Sequence, residues 1–556
     1  MLKSDGCRSD KQLPASLVAE NRIPGLSAAI VAALFFVIYF AVWLCGRELL
    51  NQEGLFAACA SEYHPGLPVT AHGVIQRNIQ PLFPAAVSLL VRLGIPMESA
   101  LRILAATMLA AWSILAGASA ARRRNFRAGI VTFFCCAGSI FAMSKGIYGQ
   151  PVTMTAFFLL AGQLVFFHYG NRLANWNKAW LGAAVLWILA FLSGGMIVLP
   201  YIVIPILFLR RPLSVNSKFN TPGFLLSCIL MGAVIVWRIV QAGVDLRMNI
   251  LPEEISSWEY IKHLLTYPLI FPIQLFPWSI LIWLPFCMAL QAIDPTPVFS
   301  KYLRTLFTTS FILSWIIPDR PGIELFYVAG PLAIMVGLNY DLGIRRYWKW
   351  FRKALAVGEL LMAGLIVAIA GIIFLPDEML IDLFNISPVI LHTRYRIIVL
   401  SASLLPMILL TISYHLKKRT MPIWHLIVQM MICCAIFGTV IRLPLYLANR
   451  RWHKLGRDIA SALPESARHD TLYKLDISGM YCGLFYAGVP VKKIRSLDEL
   501  PPDRTIYLIT SGFPRHFGWR WTPLLPPDYR FEGEVVSMWR GEPIPPENSD
   551  EEDLVQ

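Results

Sequence analysis

Charge is scarce in this chain. Only 15% of its 556 residues are Asp, Glu, Lys or Arg, 56% are hydrophobic, and mean hydropathy is +0.56. Those values lie outside the range of soluble globular proteins. A disulfide framework is also missing. Of the ten cysteines, seven (Cys45, Cys135, Cys136, Cys228, Cys287, Cys433, Cys434) fall inside apolar runs and read as packing residues. No CxxC pair and no cysteine–histidine spacing is present, which argues against a structural zinc site. No basic–aromatic module occurs either, so nucleic acid is not an expected partner despite the net charge of +14. Internal repeats, a mark of many secondary transporters, are absent too.

Long apolar runs fill residues 24–444. A spanning helix needs about twenty apolar residues. Candidates are Pro24–Cys45, Ala100–Ala121, Ala128–Ser144, Val152–Tyr169, Phe224–Val240, Pro268–Leu290, Ala354–Leu375, Ile397–Ser413 and Trp424–Leu443. The run Ala179–Leu209 is split at Ser193-Gly194-Gly195, and Leu306–Ile317 with Phe326–Leu338 flank the turn Asp319-Arg320-Pro321-Gly322. Arg122–Arg124, Arg172 with Lys178, Arg210-Arg211, Lys301 with Arg304, Arg345-Arg346 and Lys417–Arg419 are then cytoplasmic by the positive-inside rule. Pro81–Ile95 is short and carries Arg92, so it is placed as an interfacial helix. The expectation is a mainly α, polytopic membrane protein with about thirteen spans and its N-terminus (residues 1–23) inside. Residues 47–98 form a long first external loop, and the chain leaves the membrane on that same outer side.

From Trp452 the pattern changes. Ile459–Leu463 predicts a helix, and Tyr473–Ile477, Cys482–Tyr486 and Thr505–Ile509 predict strands. Ser496–Leu500 predicts a serine-capped short helix. Residues 445–540 are therefore expected to be an extracytoplasmic α/β domain, followed by a disordered acidic tail at 541–556.

Four stretches resemble one family. Leu189-Ala-Phe-Leu-Ser-Gly-Gly195 followed by Arg210-Arg211, then Tyr267-Pro268 with Phe276-Pro-Trp-Ser279, then Ser314 through Gly322 with Phe326-Tyr327, carry most of it. In the first loop, Gln52-Glu53 through Glu62 and Gln80-Pro81-Leu82-Phe83 add to it. Together they resemble the GT-C class of lipid-linked sugar transferases, which includes aminoarabinose transferases of lipid A and protein O-mannosyltransferases. The resemblance implies an inverting glycosyltransferase of the bacterial inner membrane, with about thirteen spans and a periplasmic C-terminal domain. Its donor would be a polyprenyl-phosphate-linked sugar within the membrane lipid, and its acceptor an envelope lipid such as lipid A, a glycan or a protein. A carboxylate would deprotonate the acceptor, and cations would neutralise the departing phosphate.

The chain departs from the family where polar anchors are expected. Gln52 stands in place of the first-loop aspartate, a second aspartate aligns near Val152, and two lysines align with Gly194 and near Ile79. Glu53 is then the first candidate base, with Glu62 and Glu48 behind it; a capping or solvated loop acid is the alternative for each. Arg320, Lys145 and Arg247 are candidate phosphate contacts. A salt bridge to Asp319, snorkelling and loop solvation are their respective alternatives. His263 is a candidate ligand for a divalent metal ion, or a packing histidine. Two other functions stay open: a lipid-sugar-binding pseudoenzyme, and a transporter or flippase of a lipid-linked glycan.

Overall fold

A computed structural model describes residues 48–49, 51–209, 219–242, 257–317, 325–373 and 451–544, apart from 476, 478, 517, 527, 528, 532 and 533. The predicted spans Pro24–Cys45, Ile397–Ser413 and Trp424–Leu443 lie outside them. The first loop contains helix α1 (Asn51–Ser61), a hairpin of β1 (Thr70–Ala71) and β2 (Val74–Ile75), and α2 (Leu82–Arg92). The α2 helix is two-sided, with Phe83 and Val87 buried and Leu89 exposed.

The apolar bundle follows: α3 (Met97–Ala121), α4 (Phe126–Ala137), α5 (Ile140–Lys145), α6 (Val152–Phe167), α7 (Trp176–Gly194), α8 (Val198–Leu207), α9 (Pro222–Ala242), α10 (Ser257–Gln274), α11 (Pro297–Ile316) and α12 (Leu325–Ile373), the last kinked at Tyr347. Local chemistry sets several starts. The Asn125 and Asn175 side chains accept from the amides of Ala128 and Lys178, capping α4 and α7. Glycines let α3 and α4 touch: a Cβ on Gly117 would lie 2.8 Å from the Gly129 carbonyl oxygen. Aromatic rings fill the centre, where Phe326 of α12 packs on Phe141 and Trp112 at 4.8 and 5.9 Å between centroids.

Among the described residues, five helices are long and apolar enough to cross a membrane, or six if a bent pair counts as one span. That pair corrects the single span predicted at Pro268–Leu290. The α10 helix ends at Gln274, and the chain turns 99° into short 3-10 segments from Trp278 to Phe286. Pro277 and Pro285 lack the amide that a continuing helix requires. The run Ala128–Ser144 is likewise two helices, broken at Gly138-Ser139. The helix predicted at Leu306–Ile317 begins earlier, at Pro297, and takes in Lys301 and Arg304.

Residues 451–544 hold helix α13 (Arg451–Ala462), then β3 (Leu472–Lys474), α14 (Tyr481–Ala487), β4 (Val491–Lys493), β5 (Ile506–Thr510), β6 (Trp519–Pro523), the small hairpin β7 (Arg530–Phe531) and β8 (Glu534–Val535), and β9 (Ser537–Pro543). Five strands form one mixed sheet in the order β4-β3-β5-β9-β6; β3 pairs parallel with β4 and β5, and β9 antiparallel with β5 and β6. Two expectations are corrected. Cys482–Tyr486 is the interior of a helix, because this all-apolar run is covered on two sides, and such runs show no period. Gly541–Pro543, expected in a disordered tail, pairs with β6 as the end of β9.

One apolar cluster joins this sheet to the first loop. Leu49, Phe56, Ala57, Phe83 and Leu101 pack with Leu455, Ile459, Cys482, Leu484 and Met538. Gly54 allows a close approach, since a Cβ there would lie 2.5 Å from Cys482 Sγ and 2.6 Å from its backbone nitrogen. Backbone cannot yield as a side-chain tip can. The Gly54→Val variant should therefore separate α1 from α14, at a cost of about 1–3 kcal/mol or more. Limited proteolysis should cut the C-terminal region faster in the variant; identical cleavage would remove this contact as a constraint.

Candidate functional site

Glu53 sits in the first turn of α1 and is 1% exposed. Its Oε1 accepts from the Gly149 amide at 2.8 Å, and its Oε2 faces Arg102 Nη2 at 3.7 Å. Arg102, on α3 and equally buried, donates from the same nitrogen to the Glu48 carbonyl at 3.1 Å. The next residues along each chain also meet: Gln150 Nε2 donates to Gln52 Oε1 at 2.9 Å. The turn between α5 and α6 thus lies against the start of α1 through two adjacent contacts. One is a buried backbone amide on a carboxylate oxygen; the other is between half-buried amides.

The site extends from there along connected elements. Thr155, one turn into α6, shares a 2.9 Å hydrogen bond with Ser193 at the end of α7. Gly195 follows with φ +81°, a left-handed conformation that a glycine adopts without strain. A Cβ at Gly195 would lie 3.0 Å from Gln80 Nε2, so the first loop packs against this turn. Gln80 Oε1 in turn accepts from Arg238 Nε of α9 at 3.0 Å. Polar contacts thus recur at the start of α1, between α6 and α7, and between the first loop and α9. In the sequence, Gln80 is named within the Gln80–Phe83 resemblance but given no role, and Gln150, Arg102 and Arg238 were missed, since their only signal was polarity within or beside apolar runs.

The remaining candidates are placed apart or serve other contacts. Glu48 accepts from the His453 amide at 3.1 Å and lies 3.3 Å from its Nδ1, tying the membrane region to α13. Tyr486, whose ring stacks on His453 at 3.7 Å, accepts from the Leu49 amide. Glu62 accepts from the backbone amides of His72 and Gly73 at 2.6 and 3.1 Å and so holds the hairpin turn. Lys145 is exposed at the end of α5, its Nζ 5.8 Å from the Tyr148 ring centre. His263, on α10, neighbours the Tyr267 ring at 5.4 Å. Among the described residues no three His, Cys, Asp or Glu side chains come together as a metal site. His263 belongs to no such group among the described residues. Arg320 and Arg247 lie outside the described residues.

No protein-family model matches the chain, and no curated protein matches it in sequence. Its fold does match solved structures. The apo structure of ArnT from Cupriavidus metallidurans aligns over 92% of this chain and 97% of that one, with a TM-score of 0.66 at 14% identity. The structure of ArnT from the same organism bound to undecaprenyl phosphate aligns over 93% and 98%, with a TM-score of 0.67 at 15% identity. This chain shares that fold from near one end to the other.

The hairpin beside Glu62 carries a titratable group. The His72 ring is buried and stacks on Tyr481 at 4.9 Å, while Lys474 Nζ lies 4.8 Å from that tyrosine's ring centre. Burial first, and the Lys474 charge second, lower the His72 pKa from 6.5 to about 4. Between those values the unfolded chain holds a proton that the docked hairpin refuses, so stability rises with pH. The contribution is complete above about pH 6.5 and lost as pH falls toward 4. Protection of the amides at 70–75, taken relative to their intrinsic exchange rates, should fall as pH drops through that window in the wild type and hold constant in His72→Gln. A slope that persists in the variant would assign the titration to another group.

Proposed function

We propose that this chain is a multi-pass glycosyltransferase of the GT-C class that moves a glycosyl group from a polyprenyl-phosphate-linked sugar to an acceptor in the cell envelope. The observation that carries this reading is the fold shared with ArnT over nearly all of both chains, including the structure with undecaprenyl phosphate bound. The setting proposed is the bacterial cytoplasmic membrane, with the N-terminus inside and the C-terminal sheet in the periplasm. The acceptor is an envelope lipid such as lipid A, a glycan or a protein.

The chemistry is a displacement at the anomeric carbon. The acceptor oxygen forms the new bond as the bond to the phosphate oxygen breaks, and polyprenyl phosphate leaves with that electron pair. Attack opposite the leaving group inverts the anomeric centre. The acceptor proton passes to a carboxylate. Glu53 is the carboxylate proposed, because its partner Gly149 adjoins the Gln52–Gln150 pair. Glu62 and Glu48 rank behind it, since the contacts that hold them are with the hairpin turn and with α13 rather than with the turn that carries Gln150. Lys145, Arg320 and Arg247 are proposed to balance the phosphate charge. No step passes through a metal.

A second reading has its own observation. Glu53 is buried with both oxygens engaged, and the side chains beside it are amides, which cannot accept a proton usefully at neutral pH. A protein arranged this way would hold a lipid-linked sugar without transferring it.

Membranes lacking the protein, restored with wild type or Glu53→Gln, separate the two. Wild type should move radiolabelled sugar from the polyprenyl-phosphate pool into a new product. Glu53→Gln at equal protein level should lower that transfer by roughly a hundredfold or more. Undiminished transfer in the variant would keep the enzyme and remove Glu53 as its base. Donor binding without transfer in the wild type would establish the second reading.

A further inference from the structure

Helix α9 is apolar and largely open along its length, with Leu225, Ile229, Val236, Trp237 and Val240 exposed. Arg238 breaks that pattern. It is 1% exposed, and its guanidinium turns away from the open face toward the first loop. Nε donates to Gln80 Oε1 at 3.0 Å, Nη1 to Gln241 Oε1 at 2.8 Å, and Nη2 to the Ile79 carbonyl at 3.2 Å.

All three partners are neutral. Among the described residues no carboxylate pairs with Arg238. Removing a guanidinium from water without a counter-ion is strongly unfavourable. Ionisable groups within membrane-spanning helices accordingly mark ligand sites more often than structural ones. Arg238 is not a helix cap, because it donates to none of the backbone carbonyls of α9. A guanidinium has five N–H groups. Three are engaged here, which leaves one on each terminal nitrogen for a further acceptor such as a phosphate oxygen. Gln241 is half-exposed and is the side chain an incoming anion would displace.

We propose that Arg238 is an anion-binding residue whose ligand is a phosphate ester carried by a membrane lipid. Gln80, held between Arg238 and the left-handed Gly195, orients the guanidinium for it. That the phosphate belongs to the sugar donor rests on the function proposed above; the anion site itself does not.

The test uses the purified full-length protein in detergent, titrated with undecaprenyl phosphate, with undecaprenol and with inorganic phosphate. Wild type should bind undecaprenyl phosphate and not undecaprenol, and Arg238→Gln should bind it about tenfold or more weakly. Gln80→Glu guards against a folding defect, because it supplies an internal counter-ion. It should keep or raise the melting temperature while weakening phosphate binding to a similar degree. A merely structural arginine would leave phosphate affinity unmoved in Gln80→Glu. Equal affinity for undecaprenyl phosphate in wild type and both variants would overturn the Arg238 site and leave the lipid-phosphate reading intact. Binding of inorganic phosphate alone, lost in both variants, would keep the anion site and defeat its assignment to a lipid donor. No phosphate binding by the wild type would defeat both.

Discussion

The buried pair of Arg102 and Glu53 is the contact on which the polar end of this molecule depends. Each side chain is 1% exposed, so neither charge has water to fall back on. Removing one member of a buried ion pair typically costs about 3–5 kcal/mol. Its position matters more than its strength. One guanidinium joins the chain entering α1, through the Glu48 carbonyl, to α3; the facing carboxylate joins both to the turn before α6 through Gly149. Three segments far apart in sequence are fixed relative to one another within one low-dielectric contact.

The C-terminal sheet is attached to the same frame. Glu48 gives its backbone oxygen to Arg102 and its carboxylate to His453, so the arginine and α13 share one intermediary. Apolar packing carries the rest, with α14 seated between α1 and α13. The first loop is therefore not a flap over the bundle. It is the middle layer of a stack, with the spans on one side and the sheet on the other.

Much of this was legible in the residues, for physical reasons that can be named. Apolar length exposed α3, α6, α7 and α9 directly, because a bilayer demands uninterrupted runs. The reversal at Gly194-Gly195 was readable because few residues but glycine occupy φ +81° comfortably. Three features were not readable. The Pro268–Leu290 run carries only Gln274 and Ser279 as polar residues and no charge, and hydropathy does not register that proline removes a helix donor. Cys482–Tyr486 lacks a polar face, so a helix buried on two sides looks like a strand. Gln150 and Arg238 carry no motif of their own. Their roles come from a glutamine about a hundred residues away in one case and from Gln80 in the other, and spacing along the chain does not encode such pairings.

The Gln52–Gln150 contact has a consequence of its own. A carboxylate pair in that place would change charge with acidity; two amides keep the same charge from strong acid to strong base. Each amide also offers both a donor and an acceptor, so with one of each spent on the other the pair still presents both kinds of group to a neighbour. This contact between the first loop and the turn before α6 therefore keeps its charge, donors and acceptors whatever the acidity of the medium, and acid-sensitive behaviour enters the molecule through other groups, such as His72 at the hairpin.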